Sequence, residues 1–456
     1  MQFLEKKNIV LYSAAGDAPD CFLPVPAVLV TALAGLLTLL CGWRLRRRDG
    51  GTERRVCVLV LGDVGRSPRM QYHALSLSRH LYHVTVVGFL DSKPHQDVLN
   101  QQRIRILPIT EVRGVQGNWD IPNPPGLPGI AVAWLVCVLR GSRLIVDWHN
   151  YGYTIMALSH GPAHPVVRLA RWYEHFFGPL ASDNLCVTNA MKEDLQENWN
   201  IRATTLYDRP ASIFRETPLR LQHELFRRLG HSFDGSDPDP DLDLDLERTA
   251  FSVRDPADDS VTLRSERPAL LLSSTSWTED EDFSILLKAL EDYEGFIRAG
   301  ASLPSLVCVI TGKGPQKEHY RRIIDSLHLE HVQICTPWLE AEDYPVLLGS
   351  ADLGVCLHKS SSGLDLPMKV VDMFGCCLPV CAVHFRCLQE LVKHEENGLI
   401  FRDSDELAQQ LKSLLSEFPG SDGRLAAFRR NLRSSRGQRW DDNWDQNVLP
   451  MISGGR

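Results

Sequence analysis

The chain has 456 residues, 44% of them hydrophobic, and a formal net charge of −8. This length allows two or three domains with complete cores, and the negative charge argues against a nucleic-acid-binding protein, which needs a basic surface. The 12 cysteines include no CxxC pair and no spacing suited to zinc, so we expect buried thiols in a reducing compartment.

The N-terminal region divides into a polar extension, Met1–Asp20, and an apolar run, Cys21–Trp43, that contains no charged residue. The run is long enough to span a bilayer core of about 30 Å. Basic residues are concentrated on its C-terminal side, where Arg44, Arg46, Arg47 and Arg48 follow. This asymmetry predicts a transmembrane signal anchor with a lumenal N-terminus and a cytosolic body. A cleaved signal peptide fits less well, because the run is too long and the positive charge lies on the wrong side.

Residues 54–230 alternate short apolar strands with amphipathic helices, which is typical of a parallel α/β domain. Asn189 is predicted to cap a helix over residues 190–198. Too few residues follow Leu107 for a crossover helix and the next strand, so we hypothesise that one helix-and-strand piece is missing there. The predicted strands are Val56–Leu61, Val84–Phe89, Ile104–Leu107, Leu144–Asp147 and Leu185–Thr188.

Residues 231–265 are rich in aspartate and are predicted to be a flexible acidic linker, because such a run cannot bury a core. A second α/β domain, residues 266–435, follows, and residues 436–456 are predicted to form a helix that packs back on the first domain. The predicted fold class is therefore α/β, with two Rossmann-like domains facing a cleft and one transmembrane helix before them. The predicted strands of the second domain are Ala269–Ser273, Leu306–Thr311, Val332–Cys335, Ala351–Leu357 and Pro379–Val383.

Four loops of the second domain follow predicted strands, and in an open parallel sheet such loops meet at the ligand-binding edge. The first offers hydroxyls, the second bare backbone and a cation, the third an aromatic wall, and the fourth a helix N-terminus that attracts anions. Each loop alone has an ordinary structural explanation, but together they indicate a site for a nucleoside diphosphate. The candidate donor-binding residues are Ser274, Thr275, Trp277, Gly312, Lys313, Gly314, Trp338, Ser361, Ser362, Gly363, Lys369 and Asp372.

The first domain has a glycine-rich loop directly after its first predicted strand. Two glycines expose backbone there, and two arginines supply positive charge, which suits an anion such as an acceptor pyrophosphate. The candidate acceptor-binding residues in this loop are Gly62, Gly65, Arg66 and Arg69.

A general base is also expected at a strand end of the first domain. His149 directly follows the strand that contains Asp147, and imidazole is the side chain that most often serves as a general base. A lone histidine is about as often a hydrogen-bonded structural residue, so Asp63 and Asp147 remain alternative candidates for the catalytic role. The acidic run 280–282 lies at a helix start and is interpreted as helix capping, so no metal site is predicted.

Five segments of the chain have a specific order of residues. They are Gly-Asp-Val-Gly-Arg-Ser-Pro-Arg-Met from Gly62, Asn-Pro-Pro-Gly-Leu-Pro from Asn123, Asp-Trp-His-Asn-Tyr-Gly-Tyr from Asp147, Ser-Ser-Thr-Ser-Trp-Thr-Glu-Asp-Glu-Asp-Phe from Ser273, and Ser-Gly-Leu-Asp-Leu-Pro-Met-Lys-Val-Val-Asp-Met-Phe-Gly from Ser362. Together these segments resemble the chitobiosyldiphosphodolichol β-mannosyltransferases, a family with the GT-B fold, and the resemblance runs from about Arg54 to the C-terminus. It implies transfer, with inversion, of the first mannose from GDP-mannose to dolichol-diphosphate-linked chitobiose on the cytosolic face of the endoplasmic reticulum.

The resemblance also implies roles for the candidate residues. Lys369, Gly363 and the adjacent serine hydroxyls are assigned to the diphosphate and Asp372 to the ribose. Lys313 is a secondary phosphate contact, and Asn150 is assigned to acceptor binding. GDP-mannose is a substrate rather than a tightly bound cofactor. Membrane lipid and other mannosyltransferases of the pathway are the expected partners.

Two interpretations from other functional classes stay open. A catalytically impaired variant, or a membrane-anchored subunit that binds a nucleotide sugar and acts as a scaffold, would keep the fold, and the short segment after Leu107 favours it. An unrelated nucleoside-diphosphate phosphatase or epimerase would share the donor loops but would need no membrane anchor.

Overall fold

The computed structural model describes residues 9–13, 54–109, 128–233, 247–278, 281–337, 339–340, 342–420, 422–435 and 439–453. It divides into two compact units, Met1–Asp208 with Trp440–Arg456, and Arg209–Arg439. The first unit therefore ends at Asp208 and not at residue 230, the predicted domain end. The predicted anchor Cys21–Trp43 lies outside the described residues, and no helix within the described ranges is long and apolar enough to cross a membrane.

The first unit is built on a seven-stranded sheet in which the paired strands are parallel. The order of strands across the sheet is β4-β3-β2-β1-β5-β6-β7. Its strands are β1 (Ile9–Ser13), β2 (Arg55–Asp63), β3 (His83–Phe89), β4 (Ile104–Pro108), β5 (Arg143–Trp148), β6 (Asp183–Cys186) and β7 (Ala203–Thr205).

Strand β1 comes from the predicted polar extension and pairs with β2 on one side and β5 on the other. Its register runs from Ile9 opposite Val56 to Ser13 opposite Val60, and the same residues face Arg143 to Asp147 across β5. The segment fills the place beside β2 for which the sequence after β4 is too short. Two strands that pair in one sheet lie on the same side of any membrane. This pairing and the predicted topology, a lumenal N-terminus with a cytosolic body, therefore exclude each other.

The helices of the first unit connect these strands. One detail differs from prediction: Thr188, not Asn189, caps the helix that follows β6, since the Thr188 side chain accepts a hydrogen bond from the backbone N–H of Met191 at 2.9 Å. The helices are α1 (Pro68–Arg79), α2 (Gln96–Asn100), α3 (Gly129–Arg140), α4 (Gly152–His160), α5 (Pro165–Phe177) and α6 (Asn189–Trp199).

The second unit is built on a six-stranded parallel sheet with the order β13-β12-β11-β14-β15-β16. The five predicted strands are present to within two residues at each end, and β16 was not predicted. The strands are β11 (Ala269–Ser274), β12 (Leu306–Thr311), β13 (Val332–Cys335), β14 (Leu353–Cys356), β15 (Val380–Val383) and β16 (Gly398–Phe401). The helices are α7 (Leu219–Phe233), α8 (Phe283–Arg298), α9 (Lys317–Ser326), α10 (Asp343–Leu348), α11 (Met368–Gly375), α12 (Ser404–Leu415) and α13 (Arg424–Ser434).

The linker prediction is wrong for the second half of residues 231–265, which forms a three-stranded antiparallel sheet. Phe251 is buried there against Phe226 of α7, with ring centroids 4.5 Å apart. Ser252 Oγ lies 2.9 Å from His223 Nδ1 of the same helix. One buried aromatic residue thus gives the segment a core that its acidic composition conceals. The strands are β8 (Glu247–Arg248), β9 (Ser252–Arg254) and β10 (Val261–Leu263).

The C-terminal segment belongs to the first unit and forms two helices, α14 (Trp440–Asn447) and α15 (Leu449–Ser453). Trp444 is fully buried among core residues of β2, β3 and α1. The expectation of buried thiols is confirmed for the described residues: their ten cysteines are free, and nine of them are buried.

Candidate active site

The second unit holds a buried carboxylate that joins two of the predicted donor loops. Glu281 is 2% exposed and accepts hydrogen bonds from Thr275 Oγ1 at 2.6 Å and from the backbone N–H of Ser276 at 2.9 Å. Its other carboxylate oxygen accepts from Lys369 Nζ near the start of α11. Glu281 therefore fixes the lysine against the loop after β11.

The loop after β12 contains two glycines whose position requires the absence of a side chain. At Gly312, where φ is +145°, a Cβ atom would lie 1.8 Å from the carbonyl oxygen of Thr275. At Gly314 a Cβ atom would lie 1.7 Å from the carbonyl oxygen of Ser276. Such closeness leaves no room for any other residue. Lys313 is exposed between them. The loops after β11 and β12 are therefore packed backbone to backbone at one edge of the sheet.

The serine loop before α11 is organised by its own side chains. Ser360 Oγ donates to Asp365 and accepts the backbone N–H of Gly363 at 2.8 Å. Ser362 Oγ accepts the N–H of Leu364 at 3.1 Å, and Gly363 has φ +73°. Ser361 is half-buried beside them. The hydroxyl of Ser360, which was not predicted, thus shapes the turn.

Helix α11 begins after Pro367 without a side-chain cap. Its first N–H groups carry the positive end of the helix dipole, and Lys369 adds a full charge in the same turn. Asp372 follows one turn later on α11 and acts electrostatically on Tyr344. The Tyr344 hydroxyl donates to Ser274 Oγ at 3.0 Å, so a tyrosine that the sequence did not single out connects the acid to the end of β11. Burial, with the Asp372 charge, raises the pKa of Tyr344.

Two of the predicted donor-site residues are tryptophans. The prediction that Trp277 binds the donor is wrong, because its side chain is fully buried. Its ring packs in the core against Phe283 and Tyr320, with centroids 4.7 and 5.9 Å away. It cannot form the wall of a nucleotide site. Trp338 lies outside the described residues.

The remaining donor residues converge at the carboxyl edge of the sheet, around β11, β12 and the start of α11. Together they present a lysine, a helix N-terminus and several hydroxyls. This combination can bind a diphosphate and stabilise negative charge that develops on it. Lys317, from α9, donates a hydrogen bond to the carbonyl oxygen of Thr336 at 3.1 Å and so holds the loop that follows β13.

In the first unit, one of the two predicted anion-binding arginines, Arg69, binds carboxylates and a carbonyl oxygen of the protein itself. Arg69 is buried and holds Asp147 with two hydrogen bonds, Nε to Oδ2 at 2.8 Å and Nη2 to Oδ1 at 2.9 Å. Its Nη1 donates to Asp208 at 2.7 Å and to the carbonyl oxygen of Leu206 at 2.8 Å. The prediction that Arg69 binds an acceptor pyrophosphate is therefore wrong.

Asp147 is the centre of this network and is fully buried. Burial raises the pKa of its carboxyl, but the nearby Arg69 charge and hydrogen bonds from His149 and His73 outweigh this and hold the pKa well below its ordinary value. Asp147 stays anionic and fully engaged, so it orients its neighbours and is not itself a proton acceptor.

Two histidines contact the same carboxylate oxygen, and one tautomer is fixed by geometry. His73 Nδ1 accepts from Trp444 Nε1 at 2.9 Å, so His73 Nε2 carries the proton and donates it to Asp147 Oδ2 at 3.0 Å. Burial lowers the pKa of His73, which stays neutral. His149 Nε2 also lies 3.0 Å from Asp147 Oδ2, but its side chain is 20% exposed. His149 is the member of the pair that a substrate can reach.

The other predicted residues of the first unit have mixed outcomes. Asp63 accepts hydrogen bonds from the backbone of Gly65, Asp91 and Ser92 and from the Ser92 hydroxyl. Burial raises the pKa of Asp63, and the stronger combined effect of the Ser92, Gly65 and Asp91 hydrogen bonds lowers it. Asp63 therefore holds the loop together through its hydrogen bonds, and the prediction that it is the general base is wrong.

The glycine loop itself is tightly packed, because a Cβ atom at Gly65 would lie 2.5 Å from the carbonyl oxygen of Ser92. Gly62 lies within the last residues of β2. Arg66 is 82% exposed and is the cation of this loop that faces solvent. Asn150 Oδ1 accepts the backbone N–H of Tyr151 at 2.8 Å, and the residue shapes the turn into α4.

Within the described ranges, one group of three side chains has metal-ligand spacing, namely Glu294, Glu330 and His331. His331 directly precedes β13, so the group lies at the amino edge of the sheet, opposite the donor loops. Hydrogen bonds from His331 to Glu294 at 2.8 and 3.0 Å explain its arrangement.

Comparison with known proteins places these features in context. A family model described as glycosyl transferases group 1 matches residues 255–431. A chitobiosyldiphosphodolichol beta-mannosyltransferase of Homo sapiens is 59% identical over 452 residues, covering 91% of this chain and 96% of the relative. UDP-glycosyltransferase TURAN of Arabidopsis thaliana is 43% identical and covers 88% and 98%.

Among solved structures, Anabaena HepE in complex with UDP and glucose has a TM-score of 0.57 at 14% identity, covering 88% of this chain and 100% of that one. This likeness, with the family match, shows that the fold is that of a GT-B glycosyltransferase.

Proposed function

Because this chain belongs to the chitobiosyldiphosphodolichol beta-mannosyltransferase family, we propose that it transfers the first mannose from GDP-mannose to dolichol-diphosphate-linked chitobiose. The observation in the structure that carries the proposal is Lys369, held by Glu281 in the first turn of α11. There it would supply the positive charge that a leaving nucleoside diphosphate needs.

The donor would bind along the carboxyl edge of the second unit's sheet. Lys369 and the first N–H groups of α11 would hold the diphosphate, and Asp372 would accept hydrogen bonds from the ribose. These groups favour the transition state because negative charge grows on the diphosphate as the sugar bond breaks. No tightly bound cofactor or metal is part of the proposal.

The acceptor would be activated by His149. An inverting transfer needs a base that removes the proton of the attacking hydroxyl. With Nε2–H directed to Asp147, the Nδ1 atom of His149 can take that proton, and the anionic carboxylate stabilises the imidazolium that forms. Arg66, exposed on the glycine loop, is the proposed contact for the acceptor's diphosphate.

We also propose that the protein works at the cytosolic face of the endoplasmic reticulum membrane, where its acceptor would be embedded. The pairing of β1 with β2 adds a condition. If Cys21–Trp43 enters the bilayer, both flanks of that segment lie on the side of the folded units.

Donor preference tests the proposal. The purified full chain is titrated with GDP and with UDP in a calorimeter, and transfer is followed with GDP-mannose and a short-chain lipid-linked chitobiose. Tighter binding of GDP, with mannosylated product, supports the proposal. Preference for UDP would contradict the donor assignment, and GDP-mannose binding without product would favour the scaffold alternative.

A further inference from the structure

The first unit has an exposed apolar surface on α4 and α5 that its core does not use. The two helices pack on each other through the buried residues Met156, Val167 and Ala170. Their outer faces carry large apolar side chains that are 52–59% exposed. We call this the α4–α5 surface, and define it by Leu158, Arg168, Leu169, Arg171, Trp172 and Phe176.

The spacing on α5 concentrates the apolar side chains in one stripe. Leu169, Trp172 and Phe176 follow one another at three and four residues, so they lie on the same side of the helix. The rings of Trp172 and Phe176 are stacked, with centroids 5.7 Å apart. Large contiguous apolar surface is uncommon on soluble proteins and marks a site of interaction.

The charge on this surface has one sign. Arg168 and Arg171 are exposed beside the stripe, while the acidic residues within 128–182, Asp147 and Glu174, are both buried. Glu174 faces inward, where it accepts the backbone N–H of Gly152 at 2.8 Å. The six residues that define the surface are therefore apolar or cationic. The Arg171 guanidinium lies over the Tyr153 ring at 5.6 Å, and Asp194 of α6 also acts electrostatically on Tyr153, so Asp194 marks the edge of the cationic surface.

This composition fits the boundary of an anionic lipid bilayer. Tryptophan prefers the headgroup level, leucine and phenylalanine enter the acyl boundary, and arginines attract anionic headgroups. Protein interfaces are also rich in aromatic residues and arginine, so the feature that selects a bilayer here is the lipid-linked acceptor of the proposed function.

We infer that the α4–α5 surface docks on the surface of an anionic bilayer. The inference builds on the proposed function, because a lipid-linked acceptor has to be reached at the membrane. Helix α4 begins three residues after His149, so docking here would hold the proposed base close to the bilayer in which the acceptor lies.

Site-specific crosslinking tests the docking without reference to activity. The full chain carries p-benzoylphenylalanine in place of Trp172 and is reconstituted in vesicles of phosphatidylcholine with or without phosphatidylserine. The inference predicts a phospholipid adduct that is stronger with phosphatidylserine. The control carries the same group in place of Leu99, which is 44% exposed on α2, and should give no adduct. No lipid adduct at position 172, or an adduct to protein instead, would overturn the inference.

A second experiment connects docking to turnover. In the variant Leu169→Ser/Trp172→Ser/Phe176→Ser, transfer to acceptor embedded in vesicles should fall by about tenfold or more, as expected when apolar side chains no longer enter lipid. Transfer to a short-chain, water-soluble acceptor should not change. The matched control replaces Leu99, Leu221 and Leu263 by serine and should behave like the parent. An equal loss with both acceptors would contradict docking. If the parent transfers to neither acceptor, the proposed function fails while the crosslink still decides the docking.

Discussion

Lys369 and Glu281, 88 residues apart in sequence, form an ion pair in which the carboxylate is 1% and the lysine 24% exposed. The lysine can meet a ligand from its exposed side while the acid holds it from within. An ion pair of this kind positions a charge more than it stabilises a fold. The free energy lost when the carboxylate is removed from water offsets much of the favourable attraction between the two charges.

Lys369→Ala should weaken GDP binding by about 1.5–3 kcal/mol, because a charge-assisted contact to the diphosphate is lost. Calorimetric titration measures the change. The variant also leaves Glu281 without its cation, so the double variant Lys369→Ala/Glu281→Gln controls for a disturbed loop. Lys288→Ala, on the exposed face of α8, should bind like the parent. Unchanged affinity in Lys369→Ala would make the ion pair purely structural.

His149→Ala should lower turnover by about 10²–10⁴-fold, the usual contribution of a general base, while GDP affinity stays the same. Steady-state kinetics at saturating donor, together with GDP titration, separate the two effects. His73→Ala serves as the comparison. It removes a buried contact to the same carboxylate and should lower the unfolding temperature as well as the rate. Loss of GDP affinity in His149→Ala with intact turnover would assign the imidazole to the donor sugar instead.

Glu174 gives the stability of the first unit a pH dependence. Burial raises its pKa from 4.5 to about 8, so the folded protein holds this proton more tightly than the unfolded chain. Stability from this group is therefore complete below about pH 4.5 and falls as the pH rises towards 8, by roughly 4–5 kcal/mol at most.

Glu174→Gln should remove that dependence, since the amide oxygen can still accept from Gly152. Urea unfolding at about pH 5.5 and about pH 8 should show the variant gaining on the parent at the higher pH. Glu197→Gln, on the exposed side of α6, is the control. Equal pH slopes for parent and Glu174→Gln would contradict the prediction.

Strand β1 can be tested through its backbone. Leu11→Pro removes an N–H from a strand that has partners on both sides, so it should destabilise the protein by about 1–3 kcal/mol. The control Ser302→Pro, at an exposed position between α8 and β12, should cost less. Urea unfolding measures both. Equal stability of the two variants would show that residues 9–13 are not part of the sheet.

Independently, an N-terminal tag should be cut by protease added to intact microsomes, and protection would place the N-terminus in the lumen.

Features that are determined by residues close together in the sequence could be predicted. Features that depend on residues far apart in the sequence could not. The strands of the second unit were predictable because each is a buried apolar run, as in β12 (Leu306–Thr311), which matches its prediction residue for residue. The donor loops followed from the rule that strand ends meet at one edge. Strand β1 carries the same apolar signal, since Ile9–Ser13 reads Ile-Val-Leu-Tyr-Ser. Its place in the sheet is not predictable locally, because it is set inside a polar extension and both partner strands lie more than 40 residues away.

The errors in the site have the same origin. Arg69 looked like an anion-binding residue because its partners, Asp147 and Asp208, are 78 and 139 residues distant in sequence. Trp277 follows the hydroxyl-rich run and was placed in the site, but its side chain turns into the core beside Phe283. Glu281 was interpreted as capping, a role that the neighbouring Asp282 fills by accepting the N–H of Ser284 at 3.0 Å. Local patterns do not show which polar group is consumed by a distant partner.

This chain is proposed to join mannose to the acceptor with inversion, and the anomeric linkage in the product shows whether it does. The full chain is incubated with GDP-mannose and short-chain diphosphate-linked chitobiose, and the product is analysed by NMR and by digestion with anomer-specific mannosidases. We expect a single β-linked mannose and one GDP released for each mannose transferred. An α-linked product, or release of GDP with free mannose and no mannosylated acceptor, would show that the chain is not an inverting mannosyltransferase.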